Sequence, residues 1–380
     1  MPRVDLHSPE DYASIHYITN TPYSNVGGFD PDKPTIVLLH PAFLDATWLD
    51  LQMGDTRFHN QFNLIAFDMR STGHSTCRPS GRHDSWVDAA DLAFCFQKLH
   101  LPPSHIFAPE GTSIYCALRF AVLFPELCLS LTLVNVPAPA ELKWIYKNID
   151  ELVHSACFAG DMSHFEEAAF ECIEFIFGPD SDPDLVDELV AHWELNHAPC
   201  QRVRVAETAS LYINRAQLSS ETLSLISQPV LIIQGEKNEL CPMKYADKLV
   251  SALTGVEGGP VLYDVKGATM MISVVPGPAS MVNNVFYKFL TRLPHRRSDL
   301  VEPESSIRDR MKMALGSLAE IMEDPDMASL DPLCSLSFCC LTPEVIKGQT
   351  DLLKHYSKDI GTALNPMGVE NEGRPLRKYD

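Results

Sequence analysis

The chain has 380 residues, 45% of them apolar, which is enough for one large α/β domain with insertions or for two domains. Thirty Lys and Arg against 50 Asp and Glu give a formal charge of −20, which argues against nucleic acid or an anionic membrane as a partner. No run of about 18 apolar residues occurs, and MPRVDLHSPEDYASIHY has no apolar core of signal-peptide length, so a cytoplasmic protein with no membrane association is expected. Eleven cysteines without C-x-x-C spacing read as reduced core thiols.

In chain order, residues 13–19 and 34–40 read as strands separated by SNVGGFDPDKP, a loop of turn formers. PTIVLLH is a near-continuous apolar run, the mark of a strand buried on both faces of a parallel sheet. Similar runs return at 62–68, 105–108, 129–135, 229–235 and 260–265. Helical patterns such as VDAADLAFCFQKLH lie between most of them, giving the alternation of a doubly wound, mostly parallel α/β sheet. Residues 105–126, HIFAPEGTSIYCALRFAVLFPE, read as strand, tight turn of small residues, then a helix ending before Pro125.

Residues 137–227 interrupt the strands with helical pattern, and their aromatics Trp144, Tyr146, Phe165, Phe170, Phe175, Phe177, Trp193 and Tyr212 either line a pocket or hold these helices together. Within this stretch His192, Glu194 and His197 only loosely approach H-E-x-x-H, because the i+4 position is Asn196. They read as a solvated helix face, and no metal set is expected. No G-x-G-x-x-G follows a strand and no Walker sequence occurs, so no cofactor is implied.

Past Leu293 a charged, Pro-containing break leads to an amphipathic pattern over 307–322, with Met311, Leu315, Leu318 and Met322 on one face. PEVIKGQTDLLKHYS is a second helical stretch, and GVENEGRPLRKYD reads as mobile. Residues 298–380 either brace the domain or contact a protein partner.

Over about residues 12 to 293 these features resemble the α/β-hydrolase superfamily, particularly its cap-bearing esterase- and epoxide hydrolase-like members. LLHPAFLDATWL is similar to the His-Gly loop, with Pro41 in place of the Gly. AFDMRSTGHS is similar to the Asp-x-Arg-Gly-x-Gly-x-Ser turn, with Ser71 in place of the first Gly. VLIIQGEKNELCP and LYDVKGATMMISVVPGPASMVNNVFYKFL are similar to the last two core strands, their loops and the closing helix. The resemblance implies an α/β-hydrolase core over 1–136 and 228–294, a helical cap over 137–227 and a C-terminal helical extension over 295–380.

It also implies where catalytic groups would stand. Such hydrolases use Ser, acid and His in that chain order, with the Ser on a G-x-S-x-G bend. The length of the following helix puts that bend on Pro109-Glu110-Gly111-Thr112-Ser113, with Gly111 at the nucleophile position. An alternative register makes Ser113 the nucleophile. The acid position falls on Asn238, with Glu239 beside it, and the His position falls on Met270.

The resemblance therefore implies a protein without an intact triad that binds or transforms a small, largely apolar molecule in a pocket between core and cap. His40, Ala42, Phe43, Glu110, Thr112 and Glu239 would surround it, with backbone N–H groups near Ala42, Phe43 and Thr112. The alternatives are an active serine hydrolase using Ser113 with a non-standard base, and an interaction protein acting through residues 298–380.

Overall fold

Strands with apolar residues at every position require cover on both faces, and the computed structural model supplies it. Residues 2–138 and 143–368 are described, apart from the side chains of 143, 144 and 146. One nine-stranded sheet contains β1 (Arg3–His7), β2 (Tyr12–Thr19), β3 (Thr35–Leu39), β4 (Asn63–Phe67), β5 (Thr76–Cys77), β6 (Ser104–Pro109), β7 (Cys128–Val134), β8 (Val230–Gly235) and β9 (Val261–Val265). Its order is β1-β2-β4-β3-β6-β7-β8-β9, with β5 also paired to β2. From β4 across to β9 all neighbours are parallel, whereas β2 runs antiparallel to β1, β4 and β5.

Alternation along each strand divides the core. In β3, Val37 and Leu39 join one cluster with the helices Ser85–Leu99 and Thr112–Leu123, while Ile36 and Leu38 join another with the helix Pro276–Leu290. Each strand read from the sequence is present within a residue or two. The strands β1 and β5 were not anticipated, although RVDLH alternates in the required sense, with Val4 and Leu6 buried.

The chain forms two compact units. The first comprises Met1–Arg78, Arg82–Ala140 and Arg215–Leu341 and holds the whole sheet; the second comprises Pro79–Gly81, Glu141–Asn214 and Thr342–Asp380. The expected extension over 295–380 is thus no unit of its own, because its two helices belong to different units.

In the first unit the helix Ile307–Ile321 adds Met311, Leu315 and Leu318 to the cluster that contains Phe96 and Phe120. The Ser298 hydroxyl lies 2.7 Å from that of Thr35, and its N–H donates to Pro31 O at 2.9 Å. Asp84 caps the helix Ser85–Leu99 through the N–H groups of Trp86 and Val87 and also accepts from Cys340 N at 2.7 Å. Met322 departs from the expected stripe: the helix ends one residue earlier, and Met322 is 40% exposed.

The second unit contains the helices Lys143–Cys157, Met162–Phe177, Pro183–Asn196, Arg202–Ile213 and Pro343–Ser357. Three begin at Asp161, Asp182 and Thr342, whose side chains accept from first-turn N–H groups. Buried Arg202 donates from Nε to Tyr356 O at 2.7 Å, bonds Lys358 O, and lies 4.8 Å over the Phe158 ring. Those contacts fix the end of the helix Pro343–Ser357. Gly81 passes so close to that helix that a Cβ would meet Thr350 Oγ1 and come within 2.7 Å of Ile346 O.

Phe165, Phe177, Trp193 and Tyr212 are buried in this unit, Phe175 is half-buried and Phe170 is exposed. The side chains of Trp144 and Tyr146 and the segment 369–380 lie outside the described residues. The solvated-face reading of His192, Glu194 and His197 is corrected, since all three are buried. Their helix packs through Leu189 and Trp193, His192 shares that face, and His197 stacks on Trp193 at 4.6 Å. Among the described residues no group of three or more His, Cys, Asp or Glu could hold a metal, and no helix is long and apolar enough to cross a membrane.

If the helix Ile307–Ile321 is part of the core, fully buried Leu315 is an ordinary core residue. Leu315→Ala is expected to lower stability by about 2–5 kcal/mol, measured by urea denaturation. Met313→Ala, at a 73% exposed position on the same helix, should change it by less than about 0.5 kcal/mol.

Candidate functional site

The chain has two residues in which to turn from β6 into the helix Thr112–Leu123. It does so at positive φ, +37° at Glu110 and +85° at Gly111, where ψ is −132°. Glycine adopts the second conformation without the steric cost a side chain would bring. Gly111 therefore sits at the tip of the bend. Ser113, in the first turn of the helix, is buried and donates its Oγ–H to Pro109 O, four residues back. Its proton is held by the backbone, and Thr112 beside it is half-buried.

Glu110 is the centre of the polar contacts around this bend. Its buried carboxyl accepts from Ser273 N and Asn135 Nδ2, each at 3.2 Å, and from the Ser273 hydroxyl. Burial pushes its pKa up to about 7, against the pull of those donors, and no cation forms an ion pair with it among the described residues. Its N–H donates to Val134 O at 2.9 Å, and its carbonyl accepts from Ala42 N at 3.1 Å. The expectation that the Ala42 N–H faces a ligand is corrected by that last bond.

Neutral amides continue the network across the carboxyl ends of the parallel strands. Asn135, at φ +56°, accepts from Gly235 N at 2.9 Å. Gln234 accepts from Val136 N at 2.8 Å and donates to Cys241 O. Asn238, buried, closes its own turn by accepting from Cys241 N at 2.8 Å. Glu239, expected at the pocket, is exposed. The turn after β9 approaches through Lys237 N, which donates to Ala268 O at 2.8 Å. Met270 is half-buried there, Met271 holds φ +47°, and Ser273 is the residue that meets Glu110.

His40 has both ring nitrogens engaged. Nδ1 lies 2.9 Å from Pro41 O and so carries the proton, while Nε2 accepts from Met69 N at 3.1 Å with Thr72 Oγ1 at 3.0 Å. The ring thus ties the strand end to the 69–72 turn. Phe43, buried at φ +62°, follows in the same loop. The turn itself is anchored by buried Arg70, which forks onto Asp11 and Asp91 at 2.8–3.0 Å. Ser71 adopts φ +64° where the resembling motif has Gly.

An apolar cavity of about 50 Å³ opens beside the bend helix. Ile114, Leu118, Val136, Leu218 and Leu249 line it, with Tyr245 and exposed Lys248 completing the wall.

Solved structures share this arrangement of strands and helices. The match covers 77% of this chain and 99% of a thermophilic esterase from Thermogutta terrifontis, with TM-score 0.57 and 17% identity. For the enol-lactonase from Burkholderia xenovorans LB400 the figures are 76% and 100%, TM-score 0.59 and 16% identity. For a bromoperoxidase from Bacillus anthracis they are 76% and 100%, 0.59 and 13%. The chain has the α/β-hydrolase fold. No protein-family profile matches the sequence, and no curated protein is significantly similar to it. Within the α/β-hydrolase fold the structure joins Glu110, which the sequence placed at the pocket, to Asn135 and Ser273, which it did not. The available signal was a polar residue ending an apolar strand, as in LVN and LIIQG.

Two substitutions probe the bend. The carboxyl of Glu110 has a folded pKa above its ordinary 4.5, so its protonated form stabilises the fold fully below 4.5, and that contribution is lost as pH rises to about 7. The loss amounts to about 3 kcal/mol. Glu110→Gln, neutral and similar in shape, should flatten the pH dependence of stability across that window, read from denaturation midpoints in a buffer series. Gly111→Ala should destabilise by about 1–3 kcal/mol in the same assay.

Proposed function

We propose that this α/β-hydrolase-fold protein does not perform ordinary serine hydrolysis and instead binds a small, largely apolar molecule. The observation that carries the reading is Gly111 at the tip of the bend, with φ +85° and no side chain to attack with. At the positions that the family resemblance assigns to the acid and the base, Asn238 offers an uncharged amide and Met270 a thioether. Ser113 is back-bonded to Pro109 O, and the nitrogens of His40 are held by Pro41 and Met69. Loss of triad members lowers turnover by about 10⁴-fold or more. Glu110 remains as the bend's own proton-holding group near neutral pH.

The apolar cavity supports the choice of ligand. Its volume of about 50 Å³ is well below the roughly 150 Å³ of an apolar cavity that accepts benzene. A short alkyl chain suits it, and Lys248 on its wall favours an anionic end.

A serine-directed fluorophosphonate and p-nitrophenyl acetate test the first part. No labelling and turnover at the buffer rate are expected, whereas labelling at Ser113 that disappears in Ser113→Ala would establish a serine hydrolase. For the second part, propanoate and butanoate should raise the melting temperature, and Leu118→Phe, which narrows the cavity, should remove that rise.

A further inference from the structure

The second unit presents a grooved, acidic face that the proposed function leaves without a role. Between residues 150 and 190 the sequence holds twelve Asp and Glu and no Lys or Arg, so much of the chain's formal charge of −20 is gathered on this stretch. A groove of about 590 Å³ opens here between the helices Lys143–Cys157 and Met162–Phe177, a volume within the usual range of ligand sites. Its floor is apolar, formed by half-buried Leu152 and Phe175, and exposed Glu151, Glu171 and Glu174 stand along it. Glu151 meets Lys147 at 3.4 Å in an exposed pair, whereas the carboxylates of Glu171 and Glu174 have no hydrogen-bond or ion-pair partner among the described residues.

A second feature lies on the same helix. Phe165 and Phe177 are buried in the unit, but Phe170 is 49% exposed, and the 3.6-residue period places it on one stripe with Glu166 before it and Glu174 after it. An occupant of this face needs positive charges to meet the carboxylates and apolar side chains among them to cover Phe170 and reach the groove floor. From Glu166 to Glu174 the stripe runs about 12 Å along the helix. That is the length of about four residues of extended chain, and more than one small cation covers. Like-charge repulsion disfavours a second copy of this acidic chain as the occupant.

We propose that this face of the second unit docks a basic segment of a partner polypeptide, with Lys or Arg against Glu151, Glu171 and Glu174 and apolar side chains on Leu152, Phe175 and Phe170. Individual exposed ion pairs contribute little. Affinity therefore rests on the apolar contacts, while the charges select the partner and speed the encounter. High salt weakens the docking, because the pairs are solvent-exposed.

Fluorescence anisotropy with the full chain and labelled twelve-residue peptides tests this. A peptide repeating Lys-Lys-Leu should bind about tenfold more tightly than one repeating Lys-Lys-Ser, which has the same charge. Phe170→Ser should weaken binding of the first peptide about fivefold. Glu171→Lys with Glu174→Lys should weaken it at least about tenfold, with helical content checked by circular dichroism. Glu302→Lys with Glu304→Lys, an equal change of charge at exposed positions of the first unit, should leave it within about twofold. Equal affinity for the two peptides, equal loss from the two charge reversals, or no binding at all would sink the proposal. So would a dimer mass in light scattering that disappears with Glu171→Lys and Glu174→Lys, which would give the groove to a second copy.

Discussion

A carboxyl group buried without a cation is the constraint around which the first unit's strand ends are arranged. Moving an ionised carboxylate away from water costs far more than a few neutral hydrogen bonds return. Glu110 meets this cost by two routes. Its proton is retained until about neutral pH, and donors from Asn135 and Ser273 converge on it. Those donors come from the end of β7 and from the turn after β9, so satisfying one side chain at the end of β6 fixes three segments of chain. Asn135 then reaches Gly235, and Gln234 reaches Val136 and Cys241, extending the same tie to β8. Because the members of this network are amides, hydroxyls and one protonatable carboxyl, it is electrically quiet. A network of that kind offers no fixed negative charge to stabilise an imidazolium, which agrees with the chemistry proposed for the bend.

Backbone geometry at the same strand ends adds to this picture. Phe43, Glu110, Asn135 and Met271 all hold positive φ, a conformation that costs a side-chained residue energy and persists where surrounding contacts over-determine it. Gly111 is the exception among them, because at the sharpest point of the turn glycine relieves strain where another residue would store it. The bend therefore carries no side chain at its tip.

How much of this was legible in the sequence depended on how local each determinant is. Buried parallel strands were plain, since cover on both faces demands an unbroken apolar run such as TIVLL. Short β1 was missed because a five-residue alternation in a polar terminus is weak evidence, and β5 has only two residues. The stripe Met311, Leu315 and Leu318 was readable from its spacing, but not the helix end that leaves Met322 outside it. His192 and His197 were misread for a related reason. Periodicity says which residues share a face with Leu189 and Trp193, but which face meets another helix is decided by distant parts of the chain. The partnership of Glu110 with Ser273 spans 163 positions and had no local signature at all.

Two buried carboxylates of the first unit show that burial by itself does not decide protonation. Burial raises the pKa of both Glu110 and Asp68, and for both it is the largest influence. Asp68 nevertheless ends below the ordinary 3.8, because the His16 ring bonds it at 2.9 Å and the N–H groups of Ala46 and His74 bond it at 2.8 Å. Glu110, with neutral donors and no imidazole, ends above its ordinary value. The two act on stability in opposite senses: the Asp68 contribution is present above 3.8 and is lost as pH falls through its lowered folded value, whereas that of Glu110 is lost as pH rises from 4.5 to about 7. Between them they favour a mildly acidic optimum for these two sites. The difference lies in their partners, an imidazole ring and backbone N–H groups at one site and side-chain amide and hydroxyl donors at the other.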